Sequence, residues 1–183
     1  IDVGTSQVKI VVVEEVADKN GHQLRILGTG AAESHGVRNG YVAHIEDAAQ
    51  SIAEAKQQAE HSAQVPISSA FLAIGGISLD ELRATGSAVI SRADQEITSL
   101  DIDKVAATAR EAIAAGLLNR LVLHAIPTEY RIDGTRVYGN PVGMKGVRLE
   151  ADYLFITSLT QHETSLVKAV EAAPVSYTHL RAH

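Results

Sequence analysis

The chain has 183 residues and a formal net charge of −6; 45% of its residues are hydrophobic and 21% are charged. This composition is typical of a globular protein with one large domain or two small ones. The negative charge argues against a nucleic-acid partner, which favours a basic surface. Without cysteine the chain has no disulfide or thiolate metal site, and without a run of 18 apolar residues it predicts no membrane-spanning helix.

The first nine residues predict the end of a buried strand, a tight turn of small residues and a return into an apolar run at 10–13. Backbone N–H groups of such a turn point outward and can bind phosphate. Asp2 would lie beside the turn, suited to hold a metal-bound water, and Lys9 could neutralise a phosphate oxygen. The spacing alone leaves open an ordinary hairpin in which Gly4 supplies a residue with positive φ.

The following residues are predicted to form a β-meander and a helix, and then a strand that ends at Gly75 and Gly76. Paired glycines after a strand are a natural place for the chain to cross into another domain. The predicted elements are strands at 8–16, 24–30 and 71–74, a turn at 18–21, an extended piece at 35–42 and a helix at 47–63 ended by Pro66.

From residue 77 the pattern changes to the order strand, helix, strand, strand, followed by a further helix. Apolar residues at three- to four-residue spacing mark the helices, and β-branched runs mark the strands. The predicted elements are strands at 82–91, 120–132 and 147–158 and helices at 101–117 and 161–173. The whole chain is therefore predicted to be of the α/β class.

Residues 175–183 break this pattern because they are basic and aromatic in an acidic chain with only 4% aromatic residues. They resemble the in-frame translation of an adapter used in sequencing libraries, and we set them aside as non-native. His179 and His183 have a spacing that suits metal ligands, but they belong to this tail. Because the chain also begins inside a predicted strand, we expect it to be truncated at both ends.

Four segments, at 1–9, 67–75, 124–133 and 140–149, resemble the FtsA family of bacterial cell-division proteins. The most specific is Asn-Pro-Val-Gly-Met-x-Gly-x-Arg-Leu-Glu, and the block His-x-Ile-Pro-x-x-Tyr-x-Ile-Asp before it strengthens the resemblance. One departure is the segment Gly-Gly-Ile-Ser-Leu at 75–79, where family members usually carry a polar segment with His.

The resemblance implies a partial actin/Hsp70-like (ribonuclease H-like) subdomain 1A with an inserted strand-helix-strand-strand subdomain 1C of the SHS2 type. Residues 1–76 and 151–174 would belong to subdomain 1A, and residues 77–150 to subdomain 1C. Alternatives are PilM, the actin-like adaptor of type IV pilus assembly, and an actin-fold sugar kinase, which shares Asp-x-Gly-Thr-Ser.

Members of the FtsA family are actin-like ATP-binding scaffolds that tether FtsZ filaments to the inner face of the cytoplasmic membrane. They also recruit later division proteins and self-associate into filaments. The resemblance therefore implies a cytoplasmic protein, peripheral on the membrane at the division site, with at most weak ATPase activity. The FtsZ-binding subdomain and the C-terminal membrane helix are not expected in this chain.

The resemblance also implies that the opening turn contacts ATP and Mg²⁺ in the whole protein. Gly4, Thr5 and Ser6 would bind phosphate through backbone amides, Asp2 would hold Mg²⁺ through water, and Lys9 would be the counter-charge. The second phosphate loop and the adenosine pocket would lie beyond residue 174. The chain alone is therefore expected to bind ATP weakly or not at all, and to be inactive.

The remaining polar residues carry no motif for catalysis or metal binding. His124 and His162 are lone histidines, which predict structural or surface roles. The loop at 140–146 is either a partner contact or a turn-rich connection; its candidate contact residues are Asn140, Pro141, Gly143, Met144 and Lys145. The carboxylates interpreted as solvated strand and turn residues are Glu129, Asp133, Glu150 and Asp152.

Overall fold

The structure is a computed structural model that describes residues 1–18, 21–173 and 179–180. The chain divides into two compact units, which we call the first unit (Ile1–Ser78 with Thr160–His183) and the second unit (Leu79–Leu159). None of the helices among the described residues is long and apolar enough to cross a bilayer. The elements in chain order are β1 (Asp2–Val3), β2 (Gln7–Asp18), β3 (Gly21–Glu33), β4 (Val37–Arg38), β5 (Tyr41–Val42), α1 (Ile45–Ala63), β6 (Phe71–Leu72), β7 (Asp80–Val89), α2 (Ser99–Ala112), a 3₁₀ helix (Ala114–Leu117), β8 (Arg120–Ile132), β9 (Thr135–Val137), β10 (Arg148–Leu159), α3 (Thr160–Ala172) and β11 (His179–Leu180).

The sheet of the first unit begins as an antiparallel meander of β3, β2 and β1. β6 runs parallel to β1 through a bridge between Asp2 and Ala73, and β11 pairs in parallel with β6. The first unit therefore has a three-stranded antiparallel sheet, β1-β2-β3, and a two-stranded parallel sheet, β11-β6, joined by that single bridge. The mixed α/β class agrees with the prediction, although β11 is formed by residues of the tail that we set aside.

Helix α1 packs on this sheet through small side chains. Its buried face includes Ala48, Ile52, Ala55 and Ala59, spaced three to four residues apart, as one face of an amphipathic helix requires. The strand beneath it carries Gly30, where an added Cβ would lie 2.1 Å from the carbonyl oxygen of Ala55. The absence of a side chain at this position therefore sets how closely helix and strand approach.

The second unit is an antiparallel sheet in the order β7-β10-β8-β9 with α2 on one face. In chain order β7, α2, β8 and β10 form the predicted strand-helix-strand-strand module, and β9 is a three-residue addition that pairs with β8. The fully buried core includes Ile97, Val105, Leu149 and Phe155. Asp101 and Thr98 form a capping box that begins α2 two residues earlier than predicted.

Two further boundaries differ from the sequence-based expectation. Strand β10 continues without interruption from Arg148 to Leu159, so the contacts place the second unit's end after residue 159, against 150 in the predicted subdomain division. The helix predicted to reach residue 117 ends at Ala112 and continues as the 3₁₀ turn. Of the proposed adapter segment, residues 175–178 and 181–183 lie outside the described residues.

Candidate functional site

The turn between β1 and β2 is a tight hairpin. Val3 pairs with Val8, and the Gly4 N–H donates to the carbonyl oxygen of Gln7 at 3.1 Å. Gly4 is not among the residues with positive φ, so the reason given for an ordinary hairpin is wrong. Glycine is instead favoured at this position by steric crowding, because an added Cβ would lie 3.0 Å from the carbonyl oxygen of Gln7.

The turn leaves two N–H groups available. Within the described part of the chain, the amides of Thr5 and Ser6 have no hydrogen-bond partner, whereas the Gly4 amide is used inside the turn. The Ser6 carbonyl accepts from the Ser34 N–H at 3.1 Å, which fixes the turn against the end of β3. Of the three amides predicted to bind phosphate, those of Thr5 and Ser6 are thus the unpartnered ones.

A second hairpin lies beside this turn. Asn39 and Gly40, both with positive φ (52° and 81°), join β4 to β5, and the Gly40 N–H donates to the Thr5 hydroxyl at 2.8 Å. A Cβ at Gly40 would lie 3.1 Å from the Cα of Gly76. Two backbone segments thus meet at glycines next to the opening turn. The Asn-Gly pair was the available sequence signal for this hairpin.

These segments surround an open cleft of about 530 Å³. Of the predicted site residues, Asp2, Gly4 and Thr5 line it, whereas Ser6 and Lys9 do not. Lys9 instead lines a separate depression on the sheet. Asp2 is an exposed carboxylate and the one acidic group among the described lining residues, which include no Lys or Arg. The full lining is Asp2, Val3, Gly4, Thr5, Asn39, Gly40, Ala73, Gly75, Gly76, Ile77, His162 and Leu166.

His162 also lines the cleft, although its sequence context predicted only a structural or surface residue. Its side chain is 3% exposed and meets the ring of Tyr41 edge-on, with 4.7 Å between ring centroids. Its Nδ1 has no hydrogen-bond partner among the described residues. Burial lowers the pKa of His162, because the charged ring would lose hydration.

Comparison with known proteins gives the family. Residues 82–157 match the family model described as the SHS2 domain inserted in FtsA. Proteins named cell division protein FtsA are similar along most of the chain: 33% identity over 94% of it for Borreliella burgdorferi and 35% over 93% for Pseudomonas aeruginosa. The chain belongs to the FtsA family. It spans about 40% of the length of these curated relatives (41% and 39%).

A solved structure of the PilM–PilN type IV pilus biogenesis complex also has this fold. Its matched chain superimposes with a TM-score of 0.66, covering 99% of the present chain and 46% of its own length, at 11% sequence identity. At that identity the likeness shows the fold alone. The sequence relatives therefore favour FtsA over the PilM alternative.

The loop at 140–146, which is the candidate partner contact in the SHS2 domain, is fixed at its base by buried and hydrogen-bonded residues. Pro141 is fully buried, and the backbone of Ile97 exchanges two 2.9 Å hydrogen bonds with the loop, from the Gly143 N–H and to the Met144 oxygen. Val142 and Met144 remain 46% and 38% exposed. The loop is thus a fixed turn with apolar side chains on its outer side.

The four carboxylates that the sequence analysis interpreted as solvated residues form local contacts rather than a catalytic pair. Arg131 binds Asp152 through two hydrogen bonds of 2.8 and 2.9 Å and Glu129 through one of 2.7 Å. Hydrogen bonds from Arg131 and then Thr85 lower the pKa of Asp152 to about 2. No group of three or more potential metal ligands occurs among the described residues. Asp133 accepts from the N–H groups of Val147 and Arg148, and Glu150 pairs with Arg148.

Proposed function

We propose that this chain is part of a cell-division protein that acts as an actin-like, ATP-binding scaffold. In the whole protein it would tether FtsZ filaments to the inner face of the cytoplasmic membrane and recruit later division proteins. Family membership supports this role, because the similar proteins from several bacteria are named cell division protein FtsA. The nucleotide serves as a structural ligand in this proposal, not as a substrate for rapid turnover.

The cleft beside the opening turn is the proposed phosphate site. The observation that carries it is the pair of unpartnered amides, on Thr5 and Ser6, at a tight turn beside the cleft that Thr5 lines. Consecutive backbone N–H groups in a turn form an anion-binding concavity. The Thr5 hydroxyl accepts from Gly40 and keeps its own proton available for a phosphate oxygen.

The residues present fit a phosphate group that arrives with a divalent cation. Asp2 would repel a bare anion from the cleft, but its exposed carboxylate suits a magnesium-bound water. When bound, Mg²⁺ would supply positive charge that offsets both Asp2 and the phosphate oxygens. The close approach of Gly40 and Gly76 keeps side chains out of this wall, which leaves room for the ligand. Lys9 does not line the cleft, so its proposed role is a longer-range counter-charge.

Calorimetry with a full-length FtsA carrying this sequence tests the proposal. The Asp2→Asn variant should weaken binding of Mg-ATP about tenfold and weaken binding of metal-free ATP much less, because the carboxylate acts through the cation. Glu54→Gln, which changes an exposed carboxylate on α1, is the matched control and should leave both affinities unchanged. Equal affinities for wild type and Asp2→Asn in the presence of Mg²⁺ would contradict the assignment.

We further propose that the fixed turn at 140–145 contacts a protein partner of the division machinery. Its support is the firm base at Pro141 combined with the exposed apolar side chains of Val142 and Met144. In a two-hybrid assay against cytoplasmic segments of later division proteins and against the chain itself, Met144→Glu should remove an interaction. Leu118→Glu, at a 79% exposed position elsewhere in the SHS2 domain, should preserve it. If both variants behave alike, the loop is only a connection.

A further inference from the structure

The wall of the cleft at Asn39 and Gly40 is the tip of a very short hairpin. Its two strands, β4 and β5, form only two residue pairs. An isolated two-stranded hairpin is at best marginally stable in water, and this one is shorter than most. The tip bonds to the opening turn through the Gly40 N–H. The position of this wall therefore depends on contacts that hold the hairpin at its base.

The base of the hairpin lies directly against the first turn of α1. The carbonyl oxygen of Gly36 accepts from the N–H groups of Ala43 and His44, at 2.7 and 3.0 Å, and these bonds close the hairpin. Gly36 has a φ of 72°, and an added Cβ would lie 2.4 Å from the His44 oxygen and 2.8 Å from the Cβ of Asp47. No side chain fits between the hairpin base and the helix.

A buried serine of α1 bonds to the chain where it enters this base. Ser51 is 2% exposed, and its hydroxyl donates to the carbonyl oxygen of Asp47, one turn earlier, at 3.2 Å. The same hydroxyl oxygen accepts from the His35 N–H at 3.0 Å, and His35 directly precedes Gly36. Without the hydroxyl this partly buried amide would lose its acceptor, which is unfavourable.

We propose that Ser51 is a positioning residue of the cleft, which holds the β4–β5 hairpin so that its tip stays against Thr5. The inference rests on the proposed function of the cleft as a phosphate site. Ser51 does not line the cleft; it acts through the backbone from His35 to Gly40 and the bond from Gly40 to the Thr5 hydroxyl. A ligand that requires this wall binds only the fraction of molecules in which the hairpin is in place.

Hydrogen exchange in the ¹⁵N-labelled chain, measured without ligand, tests the anchor. Ser51→Ala removes the hydroxyl and should speed exchange at the Gly40 amide about tenfold, because the hairpin opens locally more often. Ser62→Ala is the matched control, since the Ser62 hydroxyl accepts from the Thr29 N–H at 3.4 Å at the other end of α1. This control should leave exchange at Gly40 unchanged. Wild-type exchange at Gly40 in Ser51→Ala would overturn the inference and leave the phosphate site standing.

Calorimetry with the full-length FtsA that carries this sequence tests the effect on the site. Ser51→Ala should weaken Mg-ATP binding about threefold, as expected if the hairpin is in place in about a third of the molecules. Ile52→Val removes one methylene at the neighbouring, fully buried position of α1, so it lowers stability and should bind like wild type. Ser62→Ala should also bind like wild type.

The pattern of affinities separates positioning from general destabilisation. Wild-type affinity in Ser51→Ala, or an equal loss in Ser51→Ala and Ile52→Val, would overturn the positioning role. If the wild-type protein does not bind Mg-ATP at all, the phosphate site itself is contradicted and this inference falls with it.

Discussion

The Thr5 hydroxyl accepts a 2.8 Å hydrogen bond from the backbone N–H of Gly40. This bond joins the turn after β1 to the Asn39–Gly40 hairpin, which precedes Tyr41 and its contact with His162. The opening turn is therefore connected to the opposite wall of the cleft through the Thr5 hydroxyl and the Tyr41 ring. Thr5 helps to position the cleft as well as being a candidate ligand contact.

Replacing Thr5 by Val keeps the shape of the side chain and removes the acceptor. We expect a loss of about 1 kcal/mol in the free energy of unfolding, because the Gly40 N–H loses its partner. Hydrogen exchange at the Gly40 amide should become faster. Thr5→Ser retains the hydroxyl and should restore both quantities. Unchanged exchange at Gly40 in Thr5→Val would show that the bond does not hold the hairpin.

Gly30 should tolerate no side chain. An added Cβ would lie 2.1 Å from the Ala55 oxygen and 2.5 Å from the Ala59 nitrogen, so α1 would have to move away from β3. We expect Gly30→Ala to lower the free energy of unfolding by about 1–3 kcal/mol. Gly75→Ala, where no atom lies within 4 Å and φ is not positive, should change it by less than about 0.5 kcal/mol. Urea denaturation of both variants measures the difference.

Asp101 should make the stability of the SHS2 domain depend on acid pH. Its carboxylate is 1% exposed and accepts from Arg92 and from both the N–H and the hydroxyl of Thr98. Chiefly the hydrogen bond from Arg92 holds the pKa of Asp101 well below its ordinary value. Asp101→Asn should therefore cost about 2 kcal/mol at pH 7, the combined loss of a helix cap and a charged hydrogen bond.

The sign of the pH effect follows from the lowered pKa of Asp101. The stabilisation is complete above the unfolded-state pKa of about 4 and is lost as the pH falls from there toward the folded-state value. The difference between wild type and Asp101→Asn should thus shrink in urea titrations at progressively lower pH. Asp103→Asn, at an exposed position on the same helix, should show no such convergence. A constant difference across the acid range would mean that Asp101 does not stabilise the fold as an anion.

The second unit should fold when expressed alone. Leu79–Leu159 has its own buried core, and its sheet and α2 are formed entirely within it. We expect a cooperative thermal transition and a dispersed amide spectrum for this segment. A variant that ends at residue 150 removes nine of the twelve residues of β10, which pairs with both β7 and β8, and should fail to fold. Folding of the shorter segment would favour the boundary that the sequence predicted.

Local periodicity was sufficient to predict α1 and α3 to within two residues, but not the end of α2. The interval of small and aliphatic residues predicted helices at 47–63 and 161–173, and the structure has Ile45–Ala63 and Thr160–Ala172. The β4–β5 hairpin could also have been predicted, because Asn39-Gly40 is a strong turn signal. Only an extended piece was predicted there. These features depend on neighbours in sequence, which is why sequence alone can reveal them.

The environment of His162 could not be predicted in the same way. Its burial arises because α3 packs against α1 and β5, which end 97 and 118 residues before α3 begins. The use of the Gly4 amide inside the turn is likewise a matter of geometry, since the same residues permit several turn types. The sequence motif indicated Asp2 and the turn as a site. The residues of α3 on the opposite wall could be identified only from the folded structure.

A glycine beneath a helix recurs in the two units: Gly30 under α1, and Gly86 under α2, where an added Cβ would lie 1.9 Å from the Val105 oxygen. At both places the helix backbone lies so close to the strand that only glycine fits, and this steric restriction favours one strand register over the others. A two-residue slip of β3 would bring Ala32 to the place of Gly30 and press its methyl group into the helix backbone. The contacts that allow close packing therefore also disfavour shifted strand registers. Because glycine has no side chain, this selection costs no side-chain entropy.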